Sequence, residues 1–210
     1  MFINRPAILH LLAIVMAYLS TAANATSIAD FEGGLPSGWT LTGGAWTVGG
    51  VTGTTPNISP AQGSFFARSG APNVASGPLA ESLTGTMTSS ALTLSYTSIQ
   101  WLATGWSGQF GNGLSRFEIL NSSLSVVATV AAPLSDSWST KSVNLISSGL
   151  APGESFYFRA VDGNSAAHYA WLAMDKLQFI GAAVPEPASN LLMLSGSAFL
   201  LLLRRKHQNT

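Results

Sequence analysis

From residue 26 to residue 183 the chain has no long stretch with helical period, and this limits its fold more than any other feature. It has instead short runs of β-branched and aromatic residues, separated by Gly, Pro, Asn or Ser. The runs fall at 39–42, 45–48, 64–68, 91–97, 100–104, 116–120, 125–130, 139–146, 155–161 and 170–180. Within 116–120, Phe117 and Ile119 alternate with Arg116 and Glu118, the period of a half-buried strand. Asn121-Ser122-Ser123 interrupts before the next apolar run, so 116–130 reads as a hairpin. In 155–161, Phe156 and Phe158 share one face and Tyr157 and Arg159 the other. A strand that is apolar on one face must be covered, and many short strands with frequent turns supply that cover as a second sheet. The expected fold is all-β: a jelly-roll-like antiparallel β-sandwich over residues 26–183.

Charged residues make up 9% of the 210-residue chain, against roughly 25% in an average soluble protein. Residues 26–184 hold five Lys/Arg and eight Asp/Glu, a net charge of −3. With no basic run to neutralise phosphates, no nucleic-acid partner is expected. The chain has no cysteine. Disulfides, thiol nucleophiles, thiolate zinc sites and iron–sulfur clusters are therefore excluded, and stability must come from a packed core or a bound metal. A domain of this length buries roughly two thirds of its unfolded surface, enough for one self-sufficient core.

Both ends of the chain are apolar. Residues 1–25 carry Arg5, an apolar stretch over 7–19 and a small-residue segment ending Ala23-Asn24-Ala25. This is the layout of a secretory signal, cut after Ala25 by signal peptidase once the Sec machinery has exported the chain. The apolar stretch is shorter than the roughly 20 residues a spanning helix needs, which favours a cleaved signal over an anchor. At the other end Val184-Pro185-Glu186-Pro187 precedes an apolar run over 188–203, followed by Arg204, Arg205 and Lys206. As a helix that run would span about 24 Å, slightly short of a ~30 Å hydrocarbon core, with the basic residues snorkelling at its far end. Positive charge beyond the run leaves the C-terminus in the cytoplasm and the β domain outside. One C-terminal transmembrane helix is expected.

The order and spacing of these parts closely resemble the PEP-CTERM sorting signal of Gram-negative bacteria. The resemblance implies an inner-membrane exosortase that recognises Pro185, Glu186 and Pro187, cleaves the tail and passes the protein to the cell surface. It also implies an association with exopolysaccharide and biofilm matrix. Residues 184–210 depart from the pattern only in Ser195-Gly196-Ser197 and in the polar residues after the arginines. A second resemblance lies in the domain. Asp30-Phe31-Glu32-Gly33-Gly34-Leu35-Pro36-Ser37-Gly38-Trp39 followed by Ala45-Trp46, and the closing segment 170–179 around Asp175, look like the first and last strands of choice-of-anchor and MAM-type jelly rolls. The resemblance implies that these strands are neighbours. It further implies that Glu32, or alternatively Asp30, meets Asp175 to bind Ca²⁺; otherwise Asp175 caps or pairs locally, with Lys176 or Arg159.

Little else suggests chemistry. His168 is the one histidine of residues 26–184 and lies in a polar loop, and no G-x-S-x-G elbow is present. The eight carboxylates form no recognisable pair of glycosidase acids. Residues 105–113 are Gly-rich but lack the P-loop lysine, so they form a β-loop in which Trp106 and Phe110 are candidate stacking groups for a ligand. Tyr169 is a third. The expectation is a structural or adhesive surface protein without catalysis of its own. A carbohydrate-binding module, or less favoured a secreted hydrolase, is the alternative.

Overall fold

A computed structural model describes residues 25–49, 58–70, 82–106, 114–165 and 169–184. Among them are twelve strands and no helix. In chain order the strands are β1 (Thr26–Ala29), β2 (Thr40–Gly43), β3 (Thr47–Gly49), β4 (Phe66–Arg68), β5 (Gly85–Thr88) and β6 (Leu92–Thr93). The second half holds β7 (Tyr96–Trp106), β8 (Arg116–Asn121), β9 (Val126–Ala131), β10 (Leu134–Asn144), β11 (Ser155–Asp162) and β12 (Trp171–Ala183). Every pairing is antiparallel.

The strands form two six-stranded sheets. The first runs β10-β7-β12-β4-β3, with β1 also paired to β12; the second runs β2-β5-β11-β8-β9, with β6 on β11. The opening and closing strands are thus neighbours, Thr26 opposite Phe179 and Ser27 opposite Gln178. Alternation along each strand sends one set of side chains between the sheets. There Trp101 of β7 meets Phe117 and Phe158 of the facing sheet, each at a ring separation of 5.1 Å in edge geometry. Such pairs contribute about 0.5–1.5 kcal/mol each beyond the area they bury.

Register gives the sandwich two distinct ends. β12 descends to Ala183 opposite Tyr96, and β1 starts at Thr26 opposite Phe179, so the first strand starts and the last strand finishes at one end of the sandwich. The turns 121–125 and 145–154 lie there too, since Asn121 faces Phe156 and Asn144 faces Ser98. At the opposite, far end Leu134, Trp106 and Trp171 stand in one cross-strand row.

Several strands differ from the sequence-based expectation. Runs 91–97 and 100–104 are not two equal strands: most of their residues belong to the single strand β7, and Leu92–Thr93 pairs separately with β11. The opening strand is Thr26–Ala29, and Asp30-Phe31-Glu32 follow it in a turn because Phe31 takes a left-handed backbone, φ 60°. Strand β10 starts at Leu134 rather than 139, because a bulge between Ser135 and Ser139 breaks its alternation. Strand β5 went unread: Gly85-Thr-Met-Thr offers one apolar side chain, Met87, which is fully buried.

Candidate functional site

The acidic site is built from the turn after β1. Asp30 Oδ1 accepts the Glu32 N–H at 3.2 Å, an Asx-turn that leads Phe31 into its left-handed conformation. Phe31 is 1% exposed and meets Trp39 edge-on at 5.9 Å. The turn closes with Gly34 N–H on Phe31 O at 2.9 Å, where Gly34 supplies a φ of 90°. With Phe31 plugged into the core, Glu32 is directed away from it. Its Oε1 accepts Ser64 N–H at 2.9 Å and Phe65 N–H at 3.1 Å, and Oε2 shares Ser64 N–H at 3.1 Å.

Asp175 reaches the same loop from β12. Asp175 falls on the same strand face as Trp171 and Ala173, opposite to Leu172 and Met174, and the strand bulges just beyond it, between Asp175 and Gln178, with Lys176 at φ 51°. Oδ1 accepts the Lys176 N–H at 2.7 Å and Oδ2 the Gln62 N–H at 3.0 Å. Asp175 is 1% exposed. Burial pushes its carboxyl above the usual range; the N–H bonds from Gln62 and Lys176 oppose this, and the charge of nearby Glu32 adds to it. The two acids named by the resemblance therefore converge on one loop, residues 61–65. Asp30 does not join them, and Arg159 lies in the other sheet.

This donor arrangement does not fit calcium. Ca²⁺ needs six to eight oxygens, whereas the loop presents N–H groups whose hydrogens point at both carboxylates. Among the described residues no group of three His, Asp or Glu could hold a metal ion. Asp175 caps locally, through backbone N–H groups rather than through a cationic side chain.

An aromatic layer covers part of the outer face of the first sheet. Ile58, Phe66, Trp171 and Ala173 are buried there, with Trp106 and Trp138 packed beside them. Trp138 meets Phe66 edge-on at 5.7 Å, and its indole N–H donates to Ser59 O at 2.9 Å. Arg68, 1% exposed, stacks its guanidinium 5.1 Å from the Trp171 ring centre. At the far edge Trp106 is half-buried; its indole N–H donates to Asp136 Oδ1 at 2.6 Å, and its ring touches Tyr169 at 5.3 Å. Tyr169 is 45% exposed. Sequence reasoning missed Trp138 and Asp136, though a tryptophan alone in the polar run Ser135–Ser139 was the available signal.

Among the described residues, two further carboxylates hold structural positions. Glu118, 2% exposed, lies between Arg116 and Arg159, each donating through Nε at 2.6 Å. Glu154 accepts Ala151 N–H at 2.9 Å. Ala25 is exposed just before β1. The candidates Ala23, Phe110, His168, Pro185, Glu186, Pro187, Arg204, Arg205 and Lys206, with both apolar end segments, lie outside the described residues.

No curated protein sequence matches the chain. Solved structures resemble it weakly. TmCBM61, solved with β-1,4-galactotriose, is 16% identical over 72% of this chain and 94% of its own, with a TM-score of 0.48. The K3 cleaved adhesin domain of Lys-gingipain from Porphyromonas gingivalis gives 13%, 76%, 100% and 0.46. The Stig cyclase Fisc from Fischerella sp. TAU gives 17%, 78%, 100% and 0.47. Two six-stranded antiparallel sheets define the fold without them. Residues 183–206 match the PEP-CTERM protein-sorting motif. That motif implies export, a membrane-anchored stage and sorting by an exosortase, so the chain is a β-sandwich that carries a PEP-CTERM sorting signal.

Proposed function

We propose that this is a structural or adhesive protein of the cell surface or extracellular matrix, released into biofilm exopolysaccharide after exosortase cleavage and without catalysis of its own. One observation supports it above the others: the sorting motif begins where the sandwich stops. β12 ends at Ala183, Val184 N–H donates to Ser95 O at 2.8 Å, and the motif starts at residue 183. Pro185 has no N–H to continue the sheet. A cut near Pro185–Pro187 would thus free a whole domain. Intact-mass analysis of the protein secreted by its native host tests this. A C-terminus near Pro187 is the expected result; a chain keeping Arg204 and Arg205 in the membrane fraction would mean a plain anchor.

The second reading, polysaccharide binding, is favoured by the Trp106–Tyr169 pair. Asp136 fixes the Trp106 indole, and Tyr169 presents an exposed ring beside it. Oriented aromatic rings stack on sugars with little ordering cost. Glycan-array binding abolished by Trp106→Ala and weakened by Tyr169→Ala is the expected outcome; binding unchanged in both would exclude this surface.

A further inference from the structure

We infer that, while the chain is anchored, the end of the sandwich at which β1 starts and β12 finishes lies against the lipid bilayer surface, with Leu124 and Ile146 as its contact points. This rests on the reading that the apolar run 188–203 inserts into the membrane. The steps from Val184 to Ala188 reach at most about 14 Å of extended chain. The headgroup layer accounts for roughly 5–7 Å of that. Since Val184 is still hydrogen-bonded to Ser95, the folded domain has no spacer to lift it away.

The surface at that end suits an interface. Two turns there are each held by an asparagine. Asn121 Oδ1 accepts Ser123 N–H and Ser125 N–H, both at 3.0 Å, and Asn144 Oδ1 accepts Ser147 N–H at 2.9 Å. Each turn presents one aliphatic side chain to solvent: Leu124, 60% exposed, and Ile146, 40% exposed. The segment 89–95 and the turns 121–125 and 145–154 contain a single charged residue, Glu154, amid many serines. A hydroxyl-rich surface with one carboxylate and two aliphatic tips can enter the headgroup layer with little charge to desolvate. The Trp106–Tyr169 end then points away from the membrane, toward the matrix.

The absence of cysteine makes the test direct. Single-cysteine variants Leu124→Cys, Ile146→Cys and, at the far end, Leu134→Cys carry an environment-sensitive fluorophore on the full chain. Each is reconstituted into phosphatidylethanolamine–phosphatidylglycerol vesicles. Probes at 124 and 146 should shift to the blue and lose iodide quenching several-fold relative to the probe at 134. Equal quenching at all three positions, in a chain that floats with the vesicles and resists carbonate extraction, would overturn the inference alone. A chain that fails to float would overturn the anchored reading and this inference with it.

Discussion

Glycine 63 shows how closely single residues are fitted at the acidic site. Its φ is +66°, and a Cβ there would come within 2.1 Å of Glu32 Oε1, whose carboxylate is held by the next two amides. Gly63→Ala therefore combines a disfavoured backbone with a clash that breaks the carboxylate's bonds, and should cost about 2–3 kcal/mol. For a domain of this size that is a fall in melting temperature of roughly 5–10 °C, measurable by circular dichroism. Asp175 predicts a pH effect of defined sign. Its carboxyl is raised above 3.8 in the fold, mainly by burial. A raised acid contributes stability that is fully present below its unfolded value and is lost as pH rises through the folded value. Lowering the pH from 7 toward 4 should stabilise the native chain relative to Asp175→Asn, and parallel melting curves of the two would contradict this. Glu32 and Asp175 could be picked out from the sequence because their flanking motifs are distinctive. The N–H groups of Gln62, Ser64 and Phe65 could not, since a backbone amide is the same under any side chain.

At the level of elements, the site joins three: the turn after β1, the loop before β4 and the bulge in β12. Carboxylates from the first and last hold the loop between them, so the ends of the fold are tied through it. The calcium prediction follows from the donors. An ion bound at 100 times its Kd would add about 2.7 kcal/mol, or roughly 5–10 °C in melting temperature. Because the loop's N–H groups already occupy the carboxylates, melting temperatures in millimolar calcium and in chelator should coincide; a rise of that size, lost in Asp175→Asn, would show that the loop turns its carbonyls inward when metal is present. The hairpin β8–β9 was legible because Phe117 and Ile119 alternate cleanly and Asn121 makes the turn. Strands β5 and β10 were obscure for opposite reasons, too few apolar residues in one and a bulge in the other.

At the scale of the molecule, the two-sheet architecture followed from many short runs with no helical period, but the aromatic layer outside the sandwich did not. Trp171, Phe66 and Trp138 come from distant segments, and only strand order brings them to one face. Strand order also decides what processing can remove. β12 pairs with β7, β4 and β1, and its final residues reach Ala183 opposite Tyr96. Any cut beyond Val184 leaves those pairs whole, while a cut near Leu177 would strip the partners of β1 and of the lower half of β7. Phe179, packed against Tyr96 at 5.6 Å and Phe156 at 6.1 Å, would go with them. Losing that aromatic alone should cost about 3–5 kcal/mol, a large share of the 5–15 kcal/mol that holds a typical domain together. The secreted form should therefore melt within about 2 °C of the detergent-solubilised full chain, the span of a ~0.5 kcal/mol change. A secreted form that melts much lower would mean that the cut lies inside β12 and that the sorting signal and the sandwich share residues.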